Sequence, residues 1–121
     1  MAVTNYEELE VWQEAMNLVT LVYTHSRGFP REEMYGLTSQ VRRAAVSVPS
    51  NIAEGQGRRS TREFLNHLSM ARGSLLEVET QIKIAQRLGY LANEPPRAVL
   101  DQTRTVGRLL NGLIRALDKK V

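Results

Sequence analysis

A chain of 121 residues, 42% hydrophobic and 24% charged, has the balance of one globular domain, which excludes a disordered or fibrous protein. It contains no cysteine, so disulfides, thiolate metal sites and cysteine nucleophiles are excluded. Sixteen Lys and Arg against 13 Asp and Glu give a net charge of +3, and the positive charge is mostly arginine.

The distribution of charge says more than its sum. The first 26 residues carry Glu7, Glu8, Glu10 and Glu14 and no Lys or Arg. Arg42 to Arg72 carries Arg42, Arg43, Arg58, Arg59, Arg62 and Arg72 against Glu54 and Glu63. Arg97 to Val121 carries four arginines and two lysines against Asp101 and Asp118. Arginine suits bidentate contact with phosphate or carboxylate. No apolar run approaches the roughly 20 residues that span a bilayer. The N-terminal MAVTNYEELEVW lacks the basic and then apolar order of a secretory signal. The expectation is a soluble, cytoplasmic protein with no membrane contact.

The first helix is expected from about Tyr6 to His25. Trp12, Ala15, Met16, Val19, Val22 and Tyr23 recur at the three-and-four spacing of one helical face. Thr4 or Asn5 can cap it, and Gly28 and Pro30 end it. A connection with a short turn at Pro30 to Met34 follows. A second helix starts near Leu37, with Val41, Ala44, Ala45, Val48 and Ile52 as its stripe. Pro49 lies within it, removing an N–H and crowding the Ala45 carbonyl. The stripe keeps its register past the proline, which predicts a kink rather than a break. Gly55 and Gly57 stop the helix.

The third helix opens on a capping box, Ser60 with Glu63. Phe64, Leu68, Ala71, Leu75, Val78, Ile82 and Ala85 then step by fours and threes to a stop at Gly89. The fourth begins after Asn93, with Pro95 and Pro96 in its first turn. Val99, Val106, Leu110, Leu113, Ile114 and Leu117 form its apolar face. No segment alternates with period two. The predicted fold is all-α, a single-domain antiparallel up-and-down four-helix bundle over residues 1–121.

Apolar residues remain outside these faces. Met70, Ile84 and Leu88 lie on a second side of the third helix, Leu18 and Leu21 on the back of the first, and Leu109 beside the main face of the fourth. A second apolar strip on a long helix predicts self-association.

Two basic features are candidate anion contacts. In Gly55-Gln56-Gly57-Arg58-Arg59-Ser60, flexible backbone and two arginines precede a helix N-terminus. The loop is either a phosphate contact or a plain helix connection; no Walker sequence follows. On the fourth helix, Arg97, Arg104, Arg108 and Arg115 are spaced so that all four fall within about 40° of arc. The stripe opposes the apolar face, and Asp101 is its one acid. It reads either as a polyanion-binding surface or as ordinary solvated helix.

A polar row on the second helix, Arg43, Ser47, Ser50 and Glu54, and another on the third, Ser74, Glu77 and Gln81, suit packing or interface hydrogen bonds better than catalysis. Enzyme signals are weak. His25 and His67 have no metal-ligand neighbour at helical spacing, and Glu77 and Glu79 point to different sides. No catalytic residue, metal or cofactor is expected.

The segments LEVWQEAMNLVTLVY, FPREEMYGLTSQVRRAAVSVPSNIAEGQGRRSTREFLNHL and ARGSLLEVETQIKIAQRLGYL resemble the four-helix-bundle proteins encoded in 23S rRNA intervening sequences of bacteria. The resemblance covers Leu9 to Leu91 and is most specific from Tyr35 to Glu63. After Ala92 it extends only to an amphipathic helix. It implies a small all-α bundle and a homopentameric ring with a basic surface. Proteins similar in shape serve as accessory factors of diversity-generating retroelements, where they bind a reverse transcriptase and nucleic acid. No catalytic residues come with the resemblance. The expectation is therefore a non-enzymatic oligomer that binds RNA or DNA backbone through Arg58, Arg59, Arg97, Arg104, Arg108 and Arg115. Met70, Ile84, Leu88, Arg43, Glu54 and Glu77 are its expected interface residues. An adaptor that docks on a protein partner such as a reverse transcriptase is the alternative.

Overall fold

The computed structural model describes residues 5–91 and 94–121. It has four α-helices in chain order: α1 (Glu10–Ser26), α2 (Leu37–Gln56), α3 (Thr61–Arg87) and α4 (Glu94–Asp118). No strand occurs among the described residues. Short connections reverse the chain between helices, and α1–α2, α2–α3, α3–α4 and α1–α4 are the packed neighbours. The predicted bundle is therefore the observed architecture, with α2 on α3 as its most extensive contact. No described helix is long and apolar enough to cross a membrane.

Both ends of α3 follow the sequence signals closely. Ser60 Oγ accepts the Glu63 N–H at 3.1 Å and lies 3.2 Å from the Glu63 carboxylate, so the capping box is formed. At the other end of α3, Gly89 takes a positive φ of 78°, which costs glycine little. Its N–H reaches the Gln86 carbonyl at 3.1 Å, and the Tyr90 N–H reaches that of Ala85 at 2.9 Å. These two bonds close the helix as a Schellman motif. Asn5 caps a short 3-10 turn, Tyr6–Glu8, that precedes α1 instead of belonging to it. The alternative cap at Thr4 and the start at Asn93 lie outside the described residues. α2 runs unbroken through Pro49 and through Gly55, and stops at Gln56.

One core joins the four helices. Leu18, Ile52, Leu68, Ile82 and Leu110 are its largest fully buried side chains. The face that α1 turns inward differs from the expected one. Val11, Ala15, Leu18 and Val22 are buried, whereas Trp12 and Val19 are half-buried and Met16 and Tyr23 exposed. α1 has two apolar faces about 100° apart. The one with smaller residues enters the core, where it packs between α2 and α4. The Trp12 face instead lines an open apolar groove of about 340 Å³ with Tyr6, Val46, Pro49 and Ala53.

On α4, Val99, Val106 and Leu110 are buried but Leu113, Ile114 and Leu117 only partly so. At 1.5 Å per residue α4 is about 38 Å long and α1 about 26 Å, so α1 cannot cover the whole of α4.

Glu33 ties the α1–α2 connection to the end of α3. Its Oε1 accepts the Leu37 N–H at 3.0 Å, and its Oε2 accepts the Tyr90 hydroxyl at 2.8 Å. The Tyr90 ring lies 5.8 Å from that of the buried Phe29. The Leu37 N–H and then the Tyr90 hydroxyl hold the Glu33 carboxyl below its ordinary value, against a smaller effect of burial. The bond to Glu33 pushes the Tyr90 phenol up. A lowered carboxyl adds stability above its unfolded-state pKa and loses it as pH falls through the folded value. A raised phenol adds stability below its unfolded-state pKa and loses it as pH rises through the folded one. Tyr90→Phe keeps the ring and removes the bond. Thermal melts are expected to show a lower Tm for the variant at neutral pH. The gap should narrow below the carboxylate range and again above the tyrosine range; a gap independent of pH would refute this linkage.

Candidate nucleic-acid interface

The inward row Val99, Val106, Leu110 fixes the rotation of α4, and this turns the arginines to solvent. Arg97, Arg104, Arg108 and Arg115 are all exposed. Arg104 lies 3.0 Å from Asp101, and both side chains are more than half exposed. The other three have no ion-pair partner among the described residues. From Arg97 to Arg115 the stripe is about 27 Å long, matching about eight phosphates of one strand at 3.4 Å spacing. Arg97 and Arg104 also line a shallow depression with Gln86, Pro96, Leu100 and Asp101.

The antiparallel order sets the α2–α3 connection at the end of the bundle where α4 finishes. Arg58 and Arg59 therefore share an end with Arg115, Lys119 and Lys120. Arg97 lies at the opposite end. The six expected arginines do not form a compact pocket. Arg59 is exposed, and Arg58 sits 3.5 Å from Glu54 with its side chain half exposed. Ser60 and Glu63 already occupy the N-terminus of α3, placing a carboxylate at the positive end of its dipole. The loop is thus a weaker anion site than its glycines and arginines alone imply.

Glu54 is spent within its own chain. Its Oε1 meets His67 Nε2 at 3.2 Å, and His67 Nδ1 lies 3.0 Å from the Glu63 carbonyl. Gly55 is buried beside them. A Cβ there would come 2.7 Å from His67 Cβ and 3.0 Å from Phe64 Cδ1, so α2 and α3 touch almost backbone to side chain at this joint. Arg42 is likewise internal. It donates to Ser26 Oγ at 2.8 Å, and its guanidinium lies 4.7 Å from the Tyr23 ring centre. Of the basic cluster Arg42 to Arg72, this arginine is not available to a ligand.

Met70, Ile84 and Leu88 are exposed at 50%, 42% and 54%, and Leu76 at 57%. A second apolar surface on α3 is therefore real. Arg43 and Glu77 stand on the facing helices α2 and α3, both exposed, and both line the same polar groove with Tyr35, Ser47, Ser74 and Gln81. No cluster of His, Asp and Glu able to hold a metal occurs among the described residues.

A family model for the 23S rRNA-intervening sequence protein matches residues 7–112. The chain belongs to this family. The match includes most of α4, beyond the Leu9 to Leu91 span of the sequence resemblance. Arg97, Arg104 and Arg108 fall inside the family region and Arg115 outside it. No curated protein matches the chain. Among solved structures, one from Bacteroides thetaiotaomicron VPI-5482 is similar, with a TM-score of 0.80 and 19% identity. It is described as a protein with unknown function from the S23 ribosomal protein family, and 86% of this chain and 97% of that one are covered. At that identity the likeness concerns the fold.

In this 23S rRNA-intervening sequence protein, three features escape the sequence reading: the groove beneath Tyr35, the His67–Glu54 contact and the place of Leu76 in the exposed strip. Tyr35 carries a faint signal, since it stands alone between Met34 and Gly36, outside any apolar period. The His67–Glu54 contact spans 13 residues across a helix joint and leaves no local pattern.

Proposed function

We propose that this member of the 23S rRNA-intervening sequence family is a non-enzymatic protein that binds the sugar–phosphate backbone of nucleic acid along α4. The carrying observation is the exposed stripe Arg97, Arg104, Arg108 and Arg115, opposite the buried face and with one exposed ion pair along it. Charged helix faces that serve only solubility mix signs at i,i+4 and so neutralise themselves. This one presents guanidinium groups that phosphate oxygens can accept from in pairs. Arg58 and Arg59 add charge at the end of the bundle where α4 finishes.

The apolar strip Met70, Leu76, Ile84, Leu88 and the Trp12 groove belong to the same reading. The Trp12 groove is an open apolar face that a second copy of the chain can cover, in a head-to-tail contact that closes into a ring. A ring repeats the basic stripe around its axis and multiplies its attraction for a polyanion.

The test is a binding series with structured RNA, duplex DNA and heparin at several salt concentrations, on material of known oligomeric state. Affinity is expected to fall steeply, with log K losing about 0.7 to 0.9 per decade of salt for every phosphate contact. Affinity that ignores salt between low and physiological ionic strength refutes the proposal.

A further inference from the structure

The polar groove between α2 and α3 has a volume of about 490 Å³ and opens to solvent. At its floor Ser74 Oγ donates to Ser47 Oγ at 2.9 Å, and Asn51 Nδ2 donates to the same oxygen at 2.9 Å. Two observations around that floor share one explanation. Tyr35, at the mouth, is 94% exposed, an unusual position for an aromatic ring in a chain with an adequate core. Arg43 and Glu77 face the groove from opposite helices, and neither has an ion-pair partner among the described residues.

A ligand that answers both needs a flat face for the ring, N–H donors for the carboxylate and an anion for the guanidinium. An unpaired nucleotide has these parts. Its base stacks on Tyr35, and its phosphate takes the Arg43 guanidinium. The Glu77 carboxylate accepts and does not donate, so it selects a base edge rich in donors. Guanine presents N1–H and N2–H₂ side by side on its Watson–Crick edge, two donors for one carboxylate. Adenine and cytosine offer a single amino group there, and uracil a single imino group.

We infer that the α2–α3 groove is a binding site for an unpaired guanine nucleotide, with Tyr35 stacking on the base, Glu77 reading its edge and Arg43 holding its phosphate. The arginine stripe of α4 grips backbone of any sequence, whereas this groove reads a base. The inference rests on the nucleic-acid reading for its polymer ligand, but a mononucleotide tests it independently.

Equilibrium dialysis of the full chain with GMP, AMP, CMP and UMP is the experiment. GMP is expected to bind about tenfold tighter than the other three, the low end of what one bidentate base contact discriminates. Tyr35→Ala should weaken all four nucleotides. Glu77→Gln should remove the preference for GMP while leaving weak binding, since the ring remains. Both positions are exposed, and unchanged melting curves will confirm that the variants fold. Arg104→Glu/Arg108→Glu should leave GMP binding unchanged, so a variant that keeps both GMP and polymer binding sinks the stripe and keeps the groove. Absence of GMP binding at millimolar concentration overturns the inference, including where a second copy closes the groove. Equal affinity for all four nucleotides, unaffected by Glu77→Gln, overturns it as well.

Discussion

Arg104→Glu/Arg108→Glu is expected to lower affinity for duplex nucleic acid by roughly a hundredfold at moderate salt. A slope of about −0.9 per phosphate contact makes each contact worth a factor of about eight at about 0.1 M salt, so two lost contacts cost about sixtyfold. The two new carboxylates repel phosphate and take the loss further. The salt dependence changes as well. Removing two contacts flattens the plot of log K against log salt by about two units of slope. Both side chains stand in solvent on the outer face of α4, away from the buried Val99, Val106 and Leu110, so the melting temperature should hardly move. A variant that keeps the parent's affinity and slope would show that the stripe is ordinary surface. A variant with lower affinity but the parent's slope would place the phosphate contacts elsewhere.

Gly55→Ala is expected to destabilise the bundle by about 2 kcal/mol, within the usual cost of overpacking a tight core. The sign is not obvious in advance, because alanine in a helix interior gains about 1 kcal/mol over glycine. The surroundings decide it. The new methyl would stand 2.7 Å from His67 Cβ, 3.0 Å from Phe64 Cδ1 and 3.3 Å from the Phe64 carbonyl oxygen. A Cβ and a carbonyl cannot swing away as the tip of a long side chain can, so the helices must separate. Their separation also strains the Glu54–His67 contact at 3.2 Å. Gly73 supplies the control. It is exposed in the middle of α3, and a Cβ there meets nothing within 4 Å. Gly73→Ala should therefore raise stability by about 1 kcal/mol through backbone entropy alone. Denaturant unfolding of the two variants should move in opposite directions; movement in the same direction would refute the close approach at Gly55.

The contrast between these glycines shows where sequence reasoning stops. Both sit in helices, and no local pattern distinguishes them. Their difference is a neighbour that is 12 residues away in one case and missing in the other. The same limit explains the rotation of α1. Val11, Ala15, Leu18 and Val22 compete with Trp12, Met16, Val19 and Tyr23 as a stripe, and the latter carry more hydrophobic surface. A count of apolar spacing favours the larger set. Packing between two helices favours the smaller one, because small residues let the backbones close up.

The arginines divide in the same manner. Arg42 and Arg43 are adjacent in the chain and alike in composition. One tucks against Tyr23 and Ser26, and the other opens onto the groove with Glu77. Only the 100° turn between successive helical residues, combined with the placement of α1, separates a structural arginine from one that can meet a ligand.

The sequence by itself determined the four helices, their order and both ends of α3. Those depend on caps, on Gly89 and on a 3.6-residue period, all of which act over a few neighbouring residues. It also determined that Arg97, Arg104, Arg108 and Arg115 share a face, since one helix relates them. Tertiary structure alone decided which face of α1 is core, how closely α2 approaches α3 at Gly55, and that Tyr35, Arg43, Glu77 and Gln81 line one groove. These are relations between helices, and they follow from the joint packing of four side-chain surfaces that no single stretch of chain contains.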